Sequence, residues 1–192
     1  MGTCIVSNIL CISGPRGSGK SLLASYLEHY HGWTRFSLAD ELKREVMRDW
    51  KLSSVQLWGS QKEVDTGYRR RQGQPLTARD IMIRHGEYRR SIDELYWCKK
   101  FDPAIGDNIV IDDLRFINEV KYFSNLGAKF ARIERSKELN VYKAALDDAS
   151  ETELNDWGKW DFKLGEHDNV KPDDLKNFAT YIMAHLDNCR SH

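Results

Sequence analysis

Cysteine pairs, long apolar runs and net charge are all missing from this sequence, and each absence excludes a class of protein. The 4 cysteines never occur at CxxC spacing, so neither a disulfide framework nor a cysteine-based zinc site is expected. No apolar run approaches the roughly 18 residues that a membrane helix requires. Lys plus Arg and Asp plus Glu both number 29, so net charge gives no reason to expect a stable nucleic-acid or membrane partner.

The N-terminal residues also lack a basic segment followed by an apolar stretch, so we expect no signal peptide and a cytoplasmic protein. The chain has 192 residues, of which 41% are hydrophobic and 30% charged, as in ordinary globular domains. This length suits one domain with a full core, and we therefore expect a single domain over residues 1–192.

Short apolar runs alternate with amphipathic segments along most of the chain. The apolar runs predict strands over residues 8–13, 33–37, 108–112, 129–135 and 162–164. The amphipathic segments predict helices over 20–30 and 38–50, after Thr77, over 116–123 and after Pro172. Ser91 and Glu94 have capping-box spacing and predict one more helix start. Strands that alternate with helices indicate an α/β fold with a parallel sheet covered on both faces.

A glycine-rich segment between the first strand and the first helix matches the phosphate-loop motif GxxxxGK[ST]. Glycines in such a loop let backbone N–H groups surround phosphates, and the dipole of the following helix favours the anion. The motif predicts that the lysine reaches the terminal phosphates of ATP and that the serine hydroxyl binds Mg²⁺. We therefore assign ATP binding to Gly14, Arg16, Gly17, Ser18, Gly19, Lys20 and Ser21.

A second metal ligand is expected at the end of a neighbouring strand. Asp112 and Asp113 directly follow the β-branched triplet of residues 109–111. Carboxylates at that position commonly order Mg²⁺ or its waters in phosphate-loop enzymes. We favour Asp113, because Asp112 continues the strand and its side chain could point away, although the pattern leaves both open.

Two arginines are placed to hold phosphate. Arg115 follows Asp113 at the carboxyl end of the same strand, and Arg79 falls in the first turn of a predicted helix. Guanidinium groups stay charged and bind phosphate oxygens in pairs, which suits phosphoryl transfer. The run at 69–71 lacks interleaved aromatic residues and is expected to be a solvated face or a mobile loop.

Several motifs, in order along most of the chain, resemble those of the phage-type deoxynucleoside monophosphate kinases, a branch of the P-loop nucleoside monophosphate kinases. The resemblance is carried by residues 13–20, 36–43, 75–79 with Gly86 and Trp97, 108–119, 148–151 and 167–169. It implies a three-layer P-loop NTPase fold with a mostly helical monophosphate-binding insertion over about 38–100 and a lid-like region over about 135–157.

The resemblance also implies roles for individual residues. Lys20, Arg79 and Arg115 would be catalytic, with Ser21 and Asp113 at the metal. Arg132 or Arg135 would face the phosphates from the lid, and Asn169 would lie near the ATP base. The monophosphate site would be formed by Phe36, Asp40, Lys43, Arg79 and Arg115.

The residues alone predict an ATP- and Mg²⁺-dependent phosphotransferase with an anionic acceptor, and the deoxynucleotide comes only from the resemblance. One alternative is a P-loop kinase of another metabolite, in which Asp40 would act as a base for a hydroxyl acceptor. Another is a nucleotide-dependent nucleic-acid module, supported only by the arginine-rich segment over 69–90. The accepted base and sugar stay open, as does the oligomeric state, with a homodimer among the options.

Overall fold

The computed structural model describes residues 8–134, 153–165 and 170–188 of the chain. These residues fall into two compact units. The sheet unit lies within Met1–Phe36 and Asp102–His192, and the inserted unit is Ser37–Phe101. Each is described separately below.

Most of the predicted strands and helices occur, in the predicted order. The strands are β1 (Asn8–Ser13), β2 (Thr34–Phe36), β3 (Asp65–Arg69), β4 (Pro75–Thr77), β5 (Asn108–Ile111), β6 (Lys129–Ile133) and β7 (Phe162–Leu164). The α-helices are α1 (Lys20–His31), α2 (Leu38–Trp50), α3 (Ser54–Leu57), α4 (Ala78–Ile92), α5 (Ile117–Asn125) and α6 (Pro172–Asn188). Short 3-10 turns occur at Ser60–Glu63, Cys98–Lys100 and Pro103–Ile105.

The sheet unit is built on five parallel strands in the order β2-β5-β1-β6-β7. The strand that leads into the glycine-rich loop is therefore central, with β5 on one side and β6 on the other. Both faces are covered, since consecutive β1 residues from Ile9 to Ile12 are all buried. On one face, Leu10 and Ile12 pack with side chains of α1 and α6, such as Leu23 and Phe178. The prediction of a parallel sheet flanked by helices is confirmed.

The inserted unit is mostly helical and has its own apolar core. Val46 of α2, Leu57 of α3 and Ile81 of α4 are fully buried together there. Thr77 caps α4, because its side chain accepts a hydrogen bond from the Asp80 amide and the Asp80 carboxylate accepts one from the Thr77 amide. The predicted helix start at this threonine is confirmed.

One prediction for this segment is wrong, and one pair of strands was not predicted. Ser91 does not begin a helix, since it lies inside α4 and its hydroxyl donates to the Tyr88 carbonyl. The sequence also gave no sign of the antiparallel hairpin of β3 and β4, in which Arg69 ends a strand. Both strands are short, and most β3 residues are exposed, so no apolar alternation marks them.

Among the described residues, no helix combines the length and the apolar character that crossing a bilayer demands.

Candidate functional site

The glycine-rich loop of the sheet unit adopts a backbone that only glycine accommodates easily. Gly14 has a φ of 151° and Gly19 a φ of 102°. A Cβ on Gly14 would collide with the carbonyl oxygen of Ile133, and one on Gly19 would lie 2.7 Å from Leu175. The loop is thus held tightly between β6 and α6, and helix α1 begins directly after it at Lys20.

Lys20 folds back over this loop. Its Nζ donates hydrogen bonds to the carbonyl oxygens of Gly14 at 2.6 Å and Pro15 at 2.9 Å. The ammonium group is therefore held against the loop, next to the position that a bound anion would occupy. Arg16 and Ser21, also predicted to bind ATP or metal, are exposed.

Ser18 gives an independent test of whether the loop suits a polyphosphate. The residue is 2% exposed, and its Oγ has no hydrogen-bond partner within the described parts of the chain. A buried hydroxyl without a partner costs about 1–3 kcal/mol, which a ligand oxygen can recover. Together with Lys20 and the dipole at the start of α1, this donor fits a chain of phosphates.

The two aspartates after β5 have different surroundings. Asp112 is buried and forms an ion pair with Arg35 of the neighbouring strand β2. Asp113 is half-buried. Because Cys11 pairs with Ile111 across the two strands, Ser13 and Asp113 occupy equivalent places beyond them. Asp112 therefore forms a structural ion pair, and Asp113 remains the predicted metal ligand.

Arg115 follows in the same strand-to-helix connection and is fixed through its backbone. The buried Glu119 accepts hydrogen bonds from the amides of Arg115 at 2.8 Å and Phe116 at 3.1 Å. Its carboxylate thus caps α5 and orients the residue that carries the guanidinium. Phe36 ends β2 opposite Ile111 and is half-buried, at the same edge of the sheet.

A cavity of about 340 Å³ opens beside the first turns of α6. Its wall combines apolar and polar side chains, namely those of Leu164, Val170, Asp174, Asn177, Phe178 and Tyr181. Its volume lies at the lower end of the range for small-molecule sites. Arg135 and Asn169, both predicted to bind ATP, lie outside the described residues, as does most of the lid-like region over 135–157.

In the inserted unit, Asp40 and Lys43 form a small polar cluster on α2. One carboxylate oxygen of Asp40 accepts from Lys43 Nζ at 2.7 Å and from Trp58 Nε1 at 2.8 Å. Burial opposes ionisation of Asp40, but these two partners outweigh it and lower its pKa. Trp58 is an exposed indole, 5.4 Å from the Lys43 ammonium. No local motif in the sequence marks Trp58 as a site residue.

Arg79, at the first turn of α4, is paired rather than isolated. Its Nε donates to the carboxylate of Glu63, and both side chains are partly exposed. Two neighbouring arginines are also paired, since Arg70 bonds to Asp80 and Arg69 bonds to Asp65. These three arginines are therefore neutralised by carboxylates of their own unit.

Glu45 lies at the centre of a buried polar network in the inserted unit. It is 4% exposed and accepts from His85 at 3.0 Å, from Arg89 and from the Tyr96 hydroxyl at 2.8 Å. Burial opposes its ionisation, yet hydrogen bonds from Tyr96, His85 and Arg89 prevail and lower its pKa. The network joins α2, α4 and the turn after α4, so its role is to hold the unit together.

No family model matches the chain. The chain is similar to a protein of Acanthamoeba polyphaga mimivirus named "Putative deoxynucleotide monophosphate kinase", with 26% identity over 197 residues that cover 94% of this chain and 96% of that protein. The resemblance to deoxynucleoside monophosphate kinases is thereby confirmed, while its phage-type branch stays a prediction.

Solved structures confirm the fold class. TT1252 from Thermus thermophilus aligns with a TM-score of 0.52 at 14% identity, over 94% of this chain and 98% of that chain. Dephospho-CoA kinase from Campylobacter jejuni aligns with a TM-score of 0.50 at 10% identity, over 96% and 99%. The sheet unit has the three-layer P-loop NTPase fold.

Proposed function

We propose that this chain is a kinase that transfers the γ-phosphate of ATP to a (deoxy)nucleoside monophosphate in the presence of Mg²⁺. The observation that carries the proposal is the loop before α1. Its positive-φ glycines, the Lys20 ammonium and the partnerless Ser18 hydroxyl converge on the place where a polyphosphate would bind. The name of the mimivirus relative supports the monophosphate acceptor.

The donor side of the reaction rests on the sheet unit. Lys20 would leave the carbonyl oxygens of Gly14 and Pro15 and neutralise charge that develops on the transferred phosphoryl group. Ser21 and Asp113 would hold Mg²⁺, which when bound shields the phosphates and aligns them. The cavity beside α6 suits the adenine ring, since Phe178 and Tyr181 offer apolar surface and Asn177 can hydrogen-bond a base edge.

The acceptor side rests on side chains that hold an anion and orient it. Arg79 and Arg115 would each bind phosphate oxygens of the monophosphate. Phe36, Asp40 and Lys43 would orient its sugar and base. An oxygen of the acceptor phosphate attacks the γ-phosphorus in line, and the bond from that phosphorus to the bridging oxygen of ADP breaks.

This reaction needs no general base, because the attacking phosphate oxygen is already anionic near neutral pH. A kinase with a hydroxyl acceptor needs one, and Asp40 is the carboxylate that would serve. Its lowered pKa makes Asp40 a weaker base than an ordinary aspartate. The chemistry of the cluster thus favours a phosphate acceptor.

The test is a coupled assay of ADP release with ATP, Mg²⁺ and each of the four ribonucleoside and four deoxyribonucleoside monophosphates. We expect turnover with at least one monophosphate and none with sugars or other hydroxyl acceptors. The Lys20→Ala protein is the control for contaminating kinases. Turnover that requires a hydroxyl acceptor, or ATPase activity that requires DNA, would refute the proposal.

A further inference from the structure

Arg132, in the last part of β6, is a buried cation that forms no ion pair within residues 8–134, 153–165 and 170–188. The residue is 7% exposed. Its Nη1 donates to Ser13 Oγ at 3.2 Å, and its Nη2 donates to Asn155 Oδ1 at 2.6 Å. The guanidinium also lies 5.4 Å from the centre of the Trp160 ring. All three partners are neutral.

Such an arrangement is unfavourable for the protein alone. Removing a charge from water costs several kcal/mol unless an opposite charge balances it, and neutral dipoles recover only part of that cost. Burial lowers the pKa of Arg132 from its ordinary value, and Glu134 opposes this only by a weaker attraction. No carboxylate of the described residues forms an ion pair with Arg132, whereas Lys129, at the start of the same strand, pairs with Asp161.

The position of Arg132 indicates where its balancing charge comes from. Ser13 is its register partner on β1 and is the residue directly before Gly14. The backbone of the next residue, Ile133, is what a Cβ on Gly14 would strike. The guanidinium therefore lies beside the base of the phosphate loop, in a low-dielectric setting where a charge acts over a longer range than in water.

We propose that Arg132 is a positioning residue that holds a fixed positive charge behind the phosphate loop and is balanced when a polyphosphate occupies that loop. The inference rests on the proposed function, because it takes the loop to be a phosphate site. Arg132 uses two of its five N–H donors on Ser13 and Asn155. It acts through its field and by fixing Ser13.

The same contacts connect the loop to residues 153–160. Asn155 and Trp160 are the second and third partners of Arg132, and Trp160 packs edge to face on Trp157 at 4.4 Å. A polyphosphate in the loop should change the electrostatic field at the guanidinium and at the Trp160 ring beside it. Trp160 therefore offers a fluorescence signal for the event.

The test compares Arg132→Gln and Arg132→Lys with Lys129→Gln, which removes a charge from the exposed start of the same strand. Inorganic triphosphate is the probe, with binding measured by calorimetry and by the melting temperature with and without the probe. Glutamine loses the charge and is two bonds shorter, so it cannot keep both hydrogen bonds, while lysine keeps the charge but loses the fork.

We expect Arg132→Gln to raise the triphosphate Kd about tenfold, because a charge in a low-dielectric site is screened little by salt. Its melting temperature without the probe should be equal to or above that of the native protein. Arg132→Lys should bind within about threefold of native, and so should Lys129→Gln. The tryptophan fluorescence change on binding should disappear in Trp160→Phe.

Other outcomes separate the two proposals. If the native protein binds triphosphate and turns over ATP but Arg132→Gln binds as tightly, the inference fails and the proposed function stands. A purely structural arginine would give a lower melting temperature for Arg132→Gln and weaker binding for lysine than for glutamine, which also overturns it. If Arg132→Gln does not fold, the test uses Arg132→Lys alone. A triphosphate Kd for Arg132→Lys more than tenfold above the native value then also overturns the inference. If the native protein binds neither ATP nor triphosphate, both proposals fail.

Discussion

The cations at the phosphate loop of the sheet unit and the arginines of the inserted unit have different partners. At the phosphate loop of the sheet unit, Lys20 donates hydrogen bonds to backbone carbonyls, and Arg132 donates hydrogen bonds to neutral side chains. In the inserted unit, Arg79 and Arg89 are each bound to a carboxylate. The first site is organised for an anion before one arrives, whereas an anion reaching the second must compete with Glu63 for Arg79.

This contrast has an energetic consequence. An uncompensated cation near a binding loop raises the free energy of the ligand-free state, so part of that cost returns when the ligand binds. A surface ion pair such as Arg79 with Glu63 is worth only about 0–1 kcal/mol, so it is a weak competitor. We therefore expect large effects on catalysis from the sheet unit, and graded effects on acceptor affinity from the inserted unit.

The strongest test removes the cation that faces the loop. Lys20→Ala should lower kcat by about 100-fold or more, because it removes charge stabilisation of the transferred phosphoryl group. The fold should survive, since the hydrogen bonds of the ammonium to the Gly14 and Pro15 carbonyls lie within the loop and not in the apolar core. Steady-state kinetics and far-UV circular dichroism measure the two effects. Lys163→Ala, an exposed lysine of β7, is the matched control; equal kcat values in the two variants would contradict the assignment.

A second test breaks the ion network of the inserted unit. Glu45→Gln should lower the free energy of unfolding by about 3 kcal/mol, since it removes the buried carboxylate bound to Arg89 and leaves Arg89 with the more distant Asp49 at 3.6 Å. Glu41→Gln, which loses only the outer pair with Arg44 on the same helix, should cost less than about 1 kcal/mol. Urea unfolding at neutral pH measures both, and similar losses would show that burial does not distinguish the two pairs.

The same network predicts a pH dependence. Because the pKa of Glu45 is lower in the folded protein than in the unfolded chain, its contribution to stability is complete above the unfolded pKa. It is lost as the pH falls through the lowered folded pKa. The difference in the free energy of unfolding between the native protein and Glu45→Gln should therefore decrease in the acid range, below about pH 4.5.

A third test concerns the acceptor. Arg79→Ala should raise the KM for the monophosphate by about 10- to 100-fold and leave the KM for ATP nearly unchanged, because a charged hydrogen bond to phosphate is worth about 1.5–3 kcal/mol. Arg79→Lys should recover part of the loss. Steady-state kinetics with both substrates varied measure the two KM values. A rise in KM confined to ATP would place Arg79 at the ATP site.

Glu63→Gln tests whether Glu63 competes with the acceptor phosphate for Arg79. It leaves Arg79 in place but removes its carboxylate partner, so the KM for the monophosphate should fall by up to about fivefold. An unchanged or higher KM would show that Glu63 orients Arg79 for its task instead of competing for it.

The smallest expected effect separates the two aspartates after β5. Asp113→Asn should raise the Mg²⁺ concentration needed for half-maximal activity several-fold. Asp112→Asn should mainly lower the melting temperature, because it breaks the ion pair with Arg35. A magnesium titration and a thermal melt on each variant measure this, and the reverse pattern would move the metal site to Asp112.

Much of the sheet unit could be predicted because its signals are local. The motif at 14–21 needs a strand before it and a helix after it, and the apolar run of β1 and the stripe of α1 supply both. The inserted unit was predicted less well. Its hairpin is short and exposed, and the Ser91 spacing was mistaken for a cap because α4 was already running through that residue.

Taken alone, the sequence determined the phosphate loop, the parallel sheet and the order of the helices, because backbone conformation and apolar period depend on neighbouring residues. The tertiary structure decided which charges meet. Arg132 and Ser13 are 119 residues apart, Glu45 and Arg89 are 44 apart, and Arg79 and Glu63 are 16 apart. No local pattern encodes such pairs, since they form only when packing brings distant segments together and sets how much water each charge keeps.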